Sequence, residues 1–176
     1  MFSEERYKKG KECEERVRPY VTKYFNVYPT EKRMDNFDYR SNDLVIEQKS
    51  RLTGNSSLKF WRFPCKKLFH LQNEGDRQFV LLYYWAEENR LFYITYNKYI
   101  FKHFHISPDM ENQDVPNWLI PGEMWEEIKL SLEPLGIYNP NRNQAYLSSF
   151  LLEHATDQDT FDIRAPPLPL WIDASE

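Results

Sequence analysis

Cysteine is nearly absent. Cys13 and Cys65 are the only two in 176 residues, too few for a disulfide framework, and they point to an intracellular, reducing compartment, cytoplasmic or nuclear. Long apolar runs are missing too. The strongest, over residues 79–86, falls far short of the ~20 residues a bilayer span needs, and the first segment is charged, so no membrane association is expected. A net positive charge is also lacking: the formal charge of −4 excludes a protein that coats nucleic acid nonspecifically. No internal repeat is present.

What the chain does have is aromatic mass. Phe, Trp and Tyr make up 16% of it, enough at this length to bury one good core. The expected organisation is a core over residues 1–106, a helical extension packed on it over 107–160, and a proline-rich tail over 161–176. The fold class expected is α/β, a central mixed β-sheet flanked by helices.

The most informative stretch is 36–50. Phe37 to Tyr39 and Leu44 to Ile46 are aromatic, β-branched or aliphatic, and the residues between them have turn chemistry, which predicts a β-hairpin. With a loop of Ser41 and Asn42, or of residues 40–43, Tyr39 faces Leu44 and Asp38 faces Val45. Side chains alternate along a strand, so Val45, Glu47 and Lys49 share one face, and Asp38 joins them across the ladder. Asp38 and Glu47 then stand as diagonal neighbours, roughly 7–8 Å apart at the backbone. Two carboxylates across that gap can hold one small hard cation, and Mg²⁺ or Mn²⁺ suits an oxygen-only set. Lys49, two residues past Glu47, places its ammonium beside a bound water or a phosphate oxygen. Other acids fit less well: Asp43 is four residues and roughly 13 Å from Glu47 at strand rise, and Asp35 points to the other face.

An aspartate on one strand followed by Glu-x-Lys within an apolar second strand resembles the core of the PD-(D/E)XK nuclease superfamily, over about residues 5–100. Phe37 stands where the motif's proline would be. The resemblance implies a restriction-endonuclease-like core and a metal-dependent nuclease hydrolysing phosphodiester bonds, with DNA the commoner substrate. It also implies a metal shell of Asp38, Glu47 and the Gln48 backbone carbonyl, with Asp38, Glu47 and Lys49 catalytic. Glu14, in the stretch from Gly10 to Val17, is similar to the first-helix glutamate that reaches towards the metal in many members. A reading of another class keeps the same fold as a noncatalytic module that binds nucleic acid or a protein partner. A second Glu-x-Lys, Glu127-Ile128-Lys129, falls on a predicted helix over 124–132, where Trp125, Ile128 and Leu132 have helical spacing and the charges form a solvated face.

The remaining elements follow from periodicity. A helix is predicted over 4–25, with Cys13, Val17, Tyr20, Val21 and Tyr24 on one side and Pro19 as a possible kink. Strands are predicted over 24–29, 78–85, 90–97 and 99–106. A flexible loop is expected over 52–58, a helix opened by Pro64 through Asn73, and another helix over 144–154. Residues 48–73 carry Lys49, Arg51, Lys59, Arg62, Lys66 and Lys67 and no acid. A cationic strip on an acidic chain predicts that a polyanion is met at one place only, with Arg51, Lys59, Arg62, Lys66 and Lys67 as its contacts. Phe60, Trp61, Phe63 and Phe69, interleaved there, can stack on bases or bury. His70, His103 and His105 lack zinc-like spacing.

Overall fold

The computed structural model describes residues 3–31, 35–108, 116–130 and 138–140. The expected helix over 144–154 and the proline-rich tail lie outside them. The first element is α1 (Glu4–Phe25), capped by the Ser3 hydroxyl, which accepts from Arg6 N–H at 3.3 Å. Glu4 and Glu5 in its first turn complement the helix dipole. Its buried side chains are Cys13, Val17, Val21 and Phe25, a strict four-residue stripe. Pro19 sits inside the helix on its exposed side without ending it. The strand expected over 24–29 is therefore corrected: Phe25 completes the helical stripe, and Asn26 ends the helix in the left-handed conformation (φ 52°). Only β1 (Tyr28–Pro29) is left of that strand.

The hairpin forms from β2 (Tyr39–Arg40) and β3 (Leu44–Arg51), but its register is shifted by two residues. Tyr39 faces Ile46 and Arg40 faces Val45. The cause is the turn: Ser41 N–H donates to Leu44 O at 2.9 Å. The Ser41 hydroxyl accepts from the N–H groups of Asp43 and Leu44, so Asn42 and Asp43 are the loop. A two-residue shift keeps strand parity, so Tyr39 still packs with Leu44 and Ile46, while Phe37, ahead of the strand, turns to the other face beside Val45.

After β3 the chain crosses through β4 (Phe60–Pro64) and α2 (Lys67–Leu71) to β5 (Gln78–Trp85), which lies parallel to β3. Then β6 (Arg90–Thr95) returns antiparallel. Pro64 thus closes a strand rather than opening a helix. Where an edge strand was expected over 99–106, the Asn97 side chain accepts from Tyr99 N–H at 2.9 Å and starts α3 (Lys98–Phe101); β7 (His105–Pro108) follows. β8 (Pro116–Pro121), a 3-10 turn (Gly122–Met124) and β9 (Glu126–Ile128) complete the described chain. The helix expected over 124–132 is therefore corrected: residues 126–128 are strand, and 131–132 lie outside the described residues. Trp125 and Ile128 are both buried, but against opposite faces of the large sheet. A spacing of three reads as one helical face or as two strand faces, and here the strand wins.

Six strands form a mixed sheet in the order β1-β2-β3-β5-β6-β9, and β4-β8-β7 form a second, antiparallel sheet. The class is α/β. The large sheet is buried on both faces, as β5 shows: Val80, Leu82 and Tyr84 pack with the α1 stripe, while Phe79, Leu81, Tyr83 and Trp85 meet Trp61, Phe63, Trp118 and Ile120 of the small sheet. Trp61 is the hinge of this second core, stacked on Trp125 at 5.2 Å and edge-on to Trp85 and Phe92. No helix among the described residues is long and apolar enough to cross a membrane.

Truncating Trp61, 2% exposed, leaves a large cavity between the sheets. Trp61→Ala is expected to cost about 3–5 kcal/mol, read as a lowered midpoint in chemical denaturation; a loss below about 1 kcal/mol contradicts this packing.

Candidate active site

The site grows from the point where β2 begins. Asp38 lies one residue before that strand, and its N–H donates to Ile46 O at 2.9 Å. Gln48, two residues further along β3, turns its N–H towards the same side, where no β2 residue remains to receive it. The Asp38 carboxylate takes the place of the missing carbonyl: Gln48 N–H donates to Oδ2 at 2.8 Å. Asp38 thus brackets Glu47, bonded to the residue before it and the residue after it. The two acids are direct neighbours rather than the diagonal pair expected from the sequence. Within an antiparallel ladder a residue's N–H and C=O point the same way, so the Gln48 carbonyl is directed to the same edge.

Glu47 is the electrostatic centre. Its side chain is 18% exposed and pairs with the Lys67 ammonium, Oε1 to Nζ, at 3.3 Å. Its other oxygen, Oε2, is buried and has no hydrogen-bond partner. Burial, then the neighbouring Asp38 charge, push its pKa up to about 8, against the pull of Lys67. Glu14 is the third acid. Half-buried on the flank of α1, it accepts from Lys11 at 2.8 Å, and burial, with Asp38 adding to it, raises its pKa. The helix edge that carries Glu14 therefore reaches the field of Asp38 and Glu47.

Lys49 lies on the Glu47 face of β3, half-buried, in register with Tyr83 of β5. Arg51, two residues on, donates from Nε to the Tyr83 hydroxyl at 2.9 Å, and the Arg62 charge also acts on that phenol. The structure thus gathers Lys49, Arg51 and Arg62 around Tyr83. Lys66 is exposed at the start of α2, and Lys59 is exposed over the Phe60 ring. Lys67 goes elsewhere: it leaves the solvated face and reaches Glu47. Of the interleaved aromatics, Trp61 and Phe63 are buried, while Phe60 and Phe69 stay exposed.

The loop after β3 is tied rather than flexible. Gly54 and Ser56 N–H groups donate to Glu87 and Glu88, and Arg90 bonds the Ser56 hydroxyl at 2.8 Å. The second Glu-x-Lys stands on β9, where Glu127 pairs with Arg90 at 2.8 Å, remote in role from the Asp38 cluster. Among the described residues, no group of three or more His, Cys, Asp or Glu is arranged to hold a metal ion. What the site offers is the Asp38 and Glu47 carboxylates, one oxygen of them orphaned, beside a backbone carbonyl. That donor chemistry fits a hard cation of the kind that keeps several waters and takes one or two carboxylates.

Lys67 is the residue that sequence reasoning assigned elsewhere. The available signal was its neighbour: Leu68 and Leu71 have the spacing of an inward helix face, so Lys67 lies about 100° round from a core position, and Leu68 is buried. No family model, characterised protein or solved structure matches the chain.

The raised Glu47 pKa has a definite sign. In the metal-free fold this carboxyl holds its proton more tightly than in the unfolded chain, so its own contribution to stability is greatest at the acid end and is lost as pH rises from 4.5 to about 8. Glu47→Gln is expected to flatten that dependence, measured by denaturant midpoints across the window; an unchanged slope in the variant contradicts the assignment.

Proposed function

We propose that this protein is a Mg²⁺- or Mn²⁺-dependent nuclease with a restriction-endonuclease-like core, related in mechanism to the PD-(D/E)XK enzymes. The observation that supports this most is the Asp38 carboxylate locked across Glu47 by the Gln48 N–H, with Lys49 following on the same face. Asp38, Glu47 and the Gln48 carbonyl would hold the cation, which when bound supplies charge against the scissile phosphate and acidifies an attacking water. Asp38 is kept in place by the strand edge, so its free oxygen needs no reorganisation. Lys49 orients the water or steadies the negative charge that develops on the phosphate. Glu14 tunes the field from the flank. The cationic side chains near Tyr83, with Lys59 and Lys66, position the strand through its phosphates, and DNA is the substrate we favour.

One observation favours the other class of function. Lys67 already neutralises part of Glu47, as an internal cation does in a nuclease-like module that binds nucleic acid or a protein without cutting. Divalent-ion binding separates the two readings.

Asp38→Asn and Lys49→Ala are each expected to lower cleavage on the order of 100-fold or more, with the metal-free melting temperature nearly unchanged. Glu127→Ala should retain activity. Cleavage by Lys49→Ala at the parental rate overturns the mechanism.

Phosphate contacts set the salt dependence of binding. With Ca²⁺ replacing the catalytic ion, Lys66→Ala is expected to flatten the slope of log affinity against log salt by about 0.7–0.9, leaving sequence preference in place. An unchanged slope removes Lys66 from the interface.

A further inference from the structure

We propose that Lys67 is a positioning residue of the metal site, holding Glu47 Oε1 so that Oε2 is presented to the cation. The inference rests on the nuclease reading and adds to it a residue outside the motif, delivered by a different element.

The geometry around the ammonium carries the argument. Lys67 is 19% exposed and sits in the first turn of α2, an element joined to β4 and not to the hairpin. Its Nζ bonds Glu47 Oε1 at 3.3 Å, donates to the backbone carbonyl of Asn36, and lies over the Phe37 ring at 6.0 Å from its centre. Asn36 and Phe37 directly precede Asp38. One ammonium therefore ties three pieces together: the segment that carries the first acid, the strand that carries the second, and α2.

An ammonium has three donors and no acceptor. With a carboxylate, a carbonyl and an aromatic face around it, Lys67 is anchored towards the protein. With Lys67 on Oε1, Oε2 is left buried without a partner. Such an oxygen is costly to leave unpaired in a folded core, and a divalent ion at that position satisfies it. Partners that orient a metal-ligating carboxylate in this way are worth about 10–100-fold in metal affinity or activity.

Two roles for Lys67 predict opposite results. A positioning lysine, once removed, lets Glu47 swing and weakens the ion. A lysine that merely competes with the cation, or contacts phosphate, does neither. Titrating Mn²⁺ into the full chain by calorimetry, Lys67→Met is expected to bind about 10-fold more weakly or worse, and Lys67→Arg to recover most of the loss. In Ca²⁺, the salt slope for a DNA oligonucleotide should be the same in Lys67→Met as in the parent. Lys67→Leu, which also removes both the charge and the donors, serves the same test if Lys67→Met does not fold. Parental or tighter Mn²⁺ binding in the uncharged variants overturns the inference and leaves the nuclease reading standing, as does a salt slope reduced by about one unit. A parent protein that binds no divalent ion overturns both.

Discussion

The site depends on one hydrogen bond, from Gln48 N–H to the Asp38 carboxylate. Where β2 runs out, β3 presents a backbone donor with no strand to receive it, and an unsatisfied donor in that setting costs about 1–3 kcal/mol. Asp38 answers the sheet's need and in doing so brings a negative charge beside Glu47. That proximity, together with burial, makes Glu47 reluctant to ionise alone. Lys67 and Lys11 supply part of the compensating charge, the first on Glu47 and the second on Glu14. The result is an acidic cluster with one buried carboxylate oxygen, Glu47 Oε2, still unmatched.

The rest of the architecture keeps this edge still. The large sheet is clamped between the α1 stripe and the aromatic core under the small sheet, so β3 and β5 have little freedom to slide. The Arg40 guanidinium, held by Asp35 at 2.9 Å and Glu74 at 2.7 Å, fixes the opposite end of the hairpin and anchors the approach to β5. Tyr83 turns its ring into the core and its hydroxyl towards Arg51, which links the packed interior to the cationic side chains beside Lys49. The loop that follows β3 is pinned by Glu87 and Glu88, which ties it to the turn between β5 and β6.

How much of this was legible in the sequence depends on the kind of information required. The shared face of Glu47 and Lys49 follows from counting residues along a strand, and an error of two in register does not disturb it, whereas Asp38 reaches Glu47 through its bond to the Gln48 N–H ahead of β2. The register itself was hidden in the Ser41 hydroxyl, whose bonds to two backbone N–H groups moved the turn by one residue. Helix and strand were confused wherever spacings of three and four residues serve both: Phe25 joined the helix stripe although alternation around it read as strand, and Trp125 with Ile128 did the reverse. The small sheet was missed because β4 lies in a stretch whose charges and proline drew attention to substrate binding, while β8 lies in a region read as a helical extension. Lys67 was placed by charge among phosphate contacts; its neighbour Leu68 marked it as the edge of a buried face, but that its ammonium meets Glu47 on another element is a tertiary fact.

The central claim is that Asp38 and Glu47 together hold a divalent ion. Crystals of the protein grown with Mn²⁺ and measured for anomalous scattering test it without reference to activity. The account predicts one strong peak about 2.0–2.2 Å from carboxylate oxygens of both Asp38 and Glu47, on the Oε2 side of Glu47. A peak bound only elsewhere, or none at saturating Mn²⁺ with the site open to solvent, contradicts it.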